Sequence, residues 1–149
     1  MSRKRENVRQ CKAIRQLIDD NKYTKALELI DAIPLEEVGS LDDLYRYAEL
    51  YEKAERMDKK KEIFYHIYHR THSRYMLNRL LRLTIRMGDM EEARELYFAY
   101  EVAGPITLDT FELRYLLAKA EGEPPERLIQ ILEELKKEEY TEEWGFRLA

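Results

Sequence analysis

The chain has 149 residues, of which 38% are Asp, Glu, Lys or Arg, with only five glycines and four prolines. That length suits one sizeable core or a short array whose units pack on their neighbours, and that composition favours long helices with solvated outer faces over a sheet. The formal net charge of −4 hides an uneven spread: residues 56–86 carry 9 Lys and Arg against 2 Asp and Glu, whereas residues 87–149 carry 7 against 16.

The first helical hairpin is expected from about Glu6 to Asp20 and from about Tyr23 to Ile33. Ala13, Ile14, Leu17 and Ile18 recur at three- and four-residue spacing, which marks one helix face. Pro34 ends the pair, because the residue before a proline disfavours the helical region. Ser40 with Asp43 reads as a cap and capping box ahead of Leu41, Leu44, Tyr47, Ala48 and Tyr51. The return helix, about Asp58 to Arg70, buries Ile63, Phe64 and Ile67. It opens on Lys59-Lys60-Lys61, so an ammonium is expected to snorkel out past the helix crossing and loosen the packing there.

The third hairpin holds the sharpest amphipathic helix. At ~100° per residue Leu77, Leu80, Leu81 and Thr84 cluster on one side, with Arg79, Arg82 and Arg86 facing away. Gly88 suits a helix stop at positive φ. Asp89 then caps the next helix, with Glu91 and Glu92 at the favourable end of its dipole. Gly104 and Pro105 end that hairpin. Thr107 caps a helix through Phe111, Tyr115, Leu116 and Ala118, and Pro124 and Pro125 suit the first turn of the next, where a missing amide hydrogen costs nothing. Leu128, Ile131, Leu132 and Leu135 form its stripe. A further helix is expected from Thr141, with Trp144, Phe146 and Leu148 short of cover.

The hairpin around Gly88 recurs. Ala26, Lys60, Ala93 and Arg127 fall at corresponding places, at steps of 34, 33 and 34 residues, a period expected of tetratricopeptide repeats. On these marks, and on Leu77, Leu80, Leu81, Gly88, Met90, Ala93, Tyr97, Tyr100 and Pro105 in the third unit, the chain resembles a tetratricopeptide-repeat protein from about Asn7 onward. The other units depart from the pattern. Asn21 replaces the turn glycine of the first, Lys60 stands where a small residue is usual, and the prolines of the fourth are expected to shift its register by one. The resemblance implies an all-α, α-α superhelix or solenoid of about four hairpins plus an extra C-terminal helix. The approximate units are 7–39, 40–72, 73–106 and 107–140, with a partial fifth at 141–149. The partial unit suggests a fragment of a longer array, or else a cap or dimer contact.

Residues for chemistry are sparse. His66, His69 and His72 would spread over about 120° of a helix, too wide for three ligands, with no carboxylate or thiol nearby to complete a zinc set. They are expected at the surface or a groove edge. Cys11 has no histidine near it in sequence and is expected to be an ordinary helical cysteine. It excludes an intramolecular disulfide and a cysteine-based metal site, which points to a reducing compartment. No apolar run approaches the ~20 residues needed to cross a bilayer, and Met1-Ser2-Arg3-Lys4-Arg5 is not followed by a signal-peptide core. The expectation is a non-enzymatic, cytoplasmic chain with no cofactor, no metal and no membrane segment.

In tetratricopeptide proteins the first helix of each unit lines a concave groove that binds peptides or helices. The resemblance places Lys12, Arg15, Tyr45, Arg46, Glu49, Tyr75, Asn78, Arg79, Arg82, Arg86, Glu112 and Leu116 on that face, with Arg15, Tyr45, Arg46, Asn78, Arg79, Arg82 and Arg86 as the groove residues proper. The lysine and asparagine clamp of co-chaperone members is not reproduced, since the comparable places hold Cys11 with Arg15, Tyr45 with Glu49 and Asn78 with Arg82. Arginine forks hold carboxylates at two points, so an acidic protein or peptide partner is expected. The alternative for the arginines is a solvated face, or one neutralised by acidic residues of adjacent units such as Glu49, Glu52 and Glu112. Two other functions stay open. One is nucleic-acid binding through the basic stretch 56–86, with Lys59 to Lys61, Arg70, Arg74 and the arginines just named beside Tyr68 and Tyr75, disfavoured by the net negative charge. The other is a self-associating module, through the C-terminal helix or with the acidic end meeting the basic middle of another copy.

Overall fold

The computed structural model describes the backbone of residues 2–148 and the side chains of residues 4–138. Among the described residues there are eight α-helices and no strand: α1 Ser2–Asp19, α2 Tyr23–Ala32, α3 Leu41–Lys53, α4 Met57–Thr71, α5 Arg74–Met87, α6 Met90–Val102, α7 Leu108–Ala120 and α8 Pro125–Leu148, with a short 3₁₀ turn at Leu35–Glu37. The fold is all-α, and successive helices pack as four hairpins: α1 with α2, α3 with α4, α5 with α6, and α7 with α8. The chain divides into two compact units, Met1–His72 and Ser73–Ala149, of two hairpins each. In the first unit α2 also packs on α3; in the second, both α5 and α6 pack on α7.

The repeat is written most clearly in the four turns within hairpins. Asn21 (φ 60°), Glu55 (φ 60°), Gly88 (φ 84°) and Gly122 (φ 76°) all occupy the left-handed region, again at steps of 34, 33 and 34 residues. The amide following each one donates to a carbonyl five residues back: Lys22 to Leu17, Arg56 to Tyr51, Asp89 to Thr84 and Glu123 to Ala118. This is the Schellman closure, which satisfies carbonyls left over at a helix C-terminus. Only two of the four left-handed residues are glycines, so the pattern is stronger in the backbone than in the sequence.

Caps at the other helix ends follow the residues expected, with one change. Ser40 Oγ accepts from the Asp43 amide at 3.3 Å, and Asp89 Oδ1 from the Glu92 amide at 3.3 Å. Asp43 does not complete a capping box, because its carboxylate is taken by Arg15. Thr107 opens α7, its amide donating to Thr110 Oγ1 at 3.0 Å.

Each hairpin buries a stripe at three- and four-residue spacing. In α5, Met76, Leu77, Leu80, Leu81, Leu83 and Thr84 are all buried, and each large apolar side chain taken from water contributes about 1.5–3 kcal/mol before conformational entropy is charged against it. Ala26 and Ala93 are fully buried at their crossings. Lys60, at the corresponding place of the second hairpin, does not snorkel into water. It is 6% exposed, and its Nζ lies 2.9 Å from Glu52 Oε1 on α3 and 5.3 Å from the centre of the Phe64 ring.

Two other expectations shift, and the register change expected in the fourth hairpin is present. Ala13 is exposed, and Cys11 joins Ile14 as the buried pair of α1, with Leu17 and Ile18 half-buried. In the fourth hairpin Arg127 is exposed while Leu128 is half-buried and Ile131 fully buried. The amide of Leu128 bonds to the Pro124 carbonyl, where Ala93 bonds to Asp89, so the prolines move the register by one. No helix begins at Thr141: α8 runs without a break for 24 residues, about 36 Å. Residues 136–144 contain neither glycine nor proline, so nothing in the chain stops the helix there. The side chains of Trp144, Phe146 and Leu148 lie outside the described residues.

Candidate functional site

The face of α5 opposite its buried stripe carries Tyr75, Asn78, Arg79, Arg82 and Arg86, which fall within about 100° of one another around the helix axis. Tyr75 is 63% exposed, and the Arg79 guanidinium sits over its ring at 5.8 Å from the centroid. Such a contact holds the guanidinium against the aromatic face, and Arg79 has a further interaction within the chain. One turn further, Arg82 Nε donates to Asn78 Oδ1 at 2.7 Å and Arg82 Nη1 donates to Glu112 Oε1 on α7 at 3.1 Å. The α5–α7 packing thus brings together Asn78, Arg82 and Glu112, and the central arginine already holds a carboxylate. Arg86, at the exposed end of the stripe, also has an interaction within the chain.

The remaining groove residues belong to the first unit and are arranged otherwise. Arg15 forms a fork on Asp43, with Nε–Oδ1 at 2.9 Å and Nη2–Oδ2 at 3.1 Å, and the Asp43 side chain is only 4% exposed. The hydrogen bond from this carboxylate holds the guanidinium pKa above its ordinary value. Arg15 therefore ties α1 to α3 rather than waiting for a ligand. Tyr45 is half-buried, and Arg46 is exposed beside a hollow of about 230 Å³ lined also by Tyr23, Glu49 and Lys53.

Most of the other basic residues of 56–86 are committed to the fold. Arg70 donates to the carbonyls of Leu35 and Gly39. Arg74 stacks on the Tyr100 ring at 4.1 Å and donates to the carbonyls of Tyr100 and Pro105. Its path explains Gly104, where a Cβ would stand 2.7 Å from Arg74 Nη1. Arg56 pairs with Asp31 at 2.8 Å, and Tyr51 donates to the same carboxylate. The Arg56 bond above all holds the Asp31 carboxyl below its ordinary range, while burial and the Asp31 bond push the Tyr51 hydroxyl up.

The histidines do not converge. His69 lies against the rings of Tyr65 and Tyr68, and His72 against Tyr68. His66 is half-buried rather than at the surface, with Nε2 buried and unpartnered among the described residues. Burial, and then the Arg70 cation, lower its pKa. No group of three or more His, Cys, Asp or Glu among the described residues is placed to hold a metal ion. Cys11 is buried. Among the described residues no helix is long and apolar enough to cross a membrane.

The arrangement on α5 is suited to reversible capture of carboxylates. The ion pair from Arg82 to Glu112 spans 30 residues, and the carbonyl bonds of Arg74 span 26 and 31. No local pattern in the sequence assigns those partners. Comparison of the chain with protein-family models, with curated proteins and with solved structures gives no match.

Proposed function

We propose that the chain is a tetratricopeptide-like, non-enzymatic binding scaffold whose α5–α7 face takes an acidic protein or peptide segment. The observation that carries this reading is the α5 stripe itself. An exposed tyrosine stacked under Arg79 stands beside an arginine that already holds a carboxylate in Glu112. Glu112 marks the geometry that a ligand carboxylate would adopt, and it competes for the same guanidinium. Asn78, Arg79, Arg82 and Arg86 remain the proposed contact residues, joined by Tyr75. Arg15 is withdrawn, because Asp43 occupies its fork.

The commitment of Arg70, Arg74 and Lys60 to carbonyls and a carboxylate favours this reading over nucleic-acid binding, which needs those cations for phosphates. A single buried cysteine accords with a reducing, cytoplasmic setting.

The test is a fluorescence-anisotropy titration with a labelled hexaglutamate peptide. Glu112→Gln should tighten binding about three- to tenfold by releasing Arg82. Simultaneous reversal of Arg79, Arg82 and Arg86 to Glu should abolish it. Affinity unchanged in both variants would remove the α5 stripe as the site.

A further inference from the structure

Within each unit the second helix of one hairpin lies against the first helix of the next: α2 against α3, and α6 against α7. α8 is the second helix of its hairpin and carries an exposed stripe of the kind such a neighbour would cover. Ile129 is 55% and Leu132 43% exposed, with the exposed carboxylates of Glu126 and Glu133 and the exposed ammonium of Lys136 on the same side. α1 is a first helix with the opposite charge. Over its first turns Val8 is 64% exposed, ringed by the exposed Lys4, Arg5 and Arg9. No acidic residue stands in the first turn of α1, so Lys4 and Arg5 sit at the end of the helix dipole that disfavours them. Carboxylates brought from outside would relieve that repulsion.

We infer that α8 of one copy docks α1 of a second copy, which takes against α8 the place that α7 takes against α6. Val8 covers the Ile129 and Leu132 stripe, and Lys4, Arg5 and Arg9 meet Glu126 and Glu133. The contact joins two different surfaces, so it is heterologous and each added copy leaves a free surface at either end. The occupant is a second copy because the two surfaces match in apolar core and oppose in charge. The contact is independent of the α5 stripe and of any acidic peptide bound there.

The experiment is analytical ultracentrifugation of the full chain across a concentration series at low and high salt. One variant has Arg5→Glu with Arg9→Glu, and a second has Glu126→Lys with Glu133→Lys. The native chain should form species larger than 18.0 kDa that dissociate with salt. Each variant alone should sediment as a single chain. Their equimolar mixture should restore the larger species, since the native α8 of the first pairs with the native α1 of the second and the reversed α8 of the second pairs with the reversed α1 of the first. Combining all four reversals in one chain should restore the larger species. The mixture also guards against misfolding, since pairing requires both variants to be folded. A native chain that stays single at every concentration overturns the inference, as do assemblies insensitive to salt and to both reversals. A chain that stays single alone but is recruited by a foreign protein through the same residues overturns it as well.

Discussion

The buried ion pair between Lys60 and Glu52 should be asymmetric: removing the carboxylate should cost more than removing the ammonium. The Lys60 side chain is 8% exposed and that of Glu52 42%, with 2.9 Å between Nζ and Oε1. At an effective dielectric near 20 the attraction is about 4 kcal/mol, and taking the ammonium out of water costs several kcal/mol, so the pair is close to neutral overall. Lys60→Met keeps the stem over Phe64 and removes the cost of burying charge; it should change stability by about 1 kcal/mol or less in either direction. Glu52→Ala leaves an ammonium buried without its acceptor. A fully buried pair broken in this way costs about 3–5 kcal/mol, and the exposure of Glu52 lets water reach the vacated place, which lowers the expectation to about 2–4 kcal/mol. The double variant should resemble Lys60→Met alone, giving a coupling of about 2–4 kcal/mol in a double-mutant cycle. Urea unfolding followed by far-ultraviolet circular dichroism, with hydrogen exchange on the α3 and α4 amides, reads both quantities. Lys60→Met costing as much as Glu52→Ala would refute the reasoning.

Three further outcomes follow from other parts of the fold. Ala93→Arg forces a charge and a long side chain into a fully buried crossing that offers no counterpart of Glu52; it should cost about 3 kcal/mol or more and lower Tm by about 6–12 °C, and an unchanged melting curve would contradict the assigned packing. At the turns, Gly88→Ala meets open space but keeps φ at 84°, so it should destabilise by about 1 kcal/mol, whereas Glu55→Gly relieves a side chain at φ 60° and should be neutral or stabilising; equal effects in thermal melts would count against the left-handed turns. His66 is held below the ordinary value of 6.5 by burial, so the unfolded chain binds the proton more readily. Its contribution is fully present above about pH 6.5 and is lost as pH falls toward the folded pKa. His66→Phe should flatten the fall in stability of the first unit as pH drops below about 6.5, measured by urea midpoints at each pH.

What was legible in the sequence was mostly local. Gly88, Asp89 and Ala93 declare the third hairpin because a positive-φ stop, a cap and a small residue at a crossing each act within a turn or two of the chain. Glu55 declares nothing: its left-handed conformation is imposed by the hairpin on a residue that does not favour it. The position of Lys60 was visible, but its partner lies on the preceding helix across the turn, so expected snorkelling became a buried pair. The break placed at Thr141 came from extending the repeat period, while the residues there are simply good helix formers. At the α5 face the arginine stripe was plain from helical spacing. Glu112 was among the carboxylates of neighbouring units expected to neutralise these arginines, and it does engage Arg82; the fork of Arg15 on Asp43 depends on which helices meet, and no periodicity within one helix carries that information.

The most direct test of the α5 face is a two-dimensional NMR titration of the isotopically labelled chain with unlabelled hexaglutamate, following the arginine Nε–Hε and backbone amide signals. Saturable shifts are expected at Tyr75, Asn78, Arg79, Arg82 and Arg86, with Arg82 responding as its bond to Glu112 is displaced, and with Arg15 and Arg74 unmoved. Saturable shifts centred elsewhere, or no saturable shift at the α5 arginines, would exclude this face as the site.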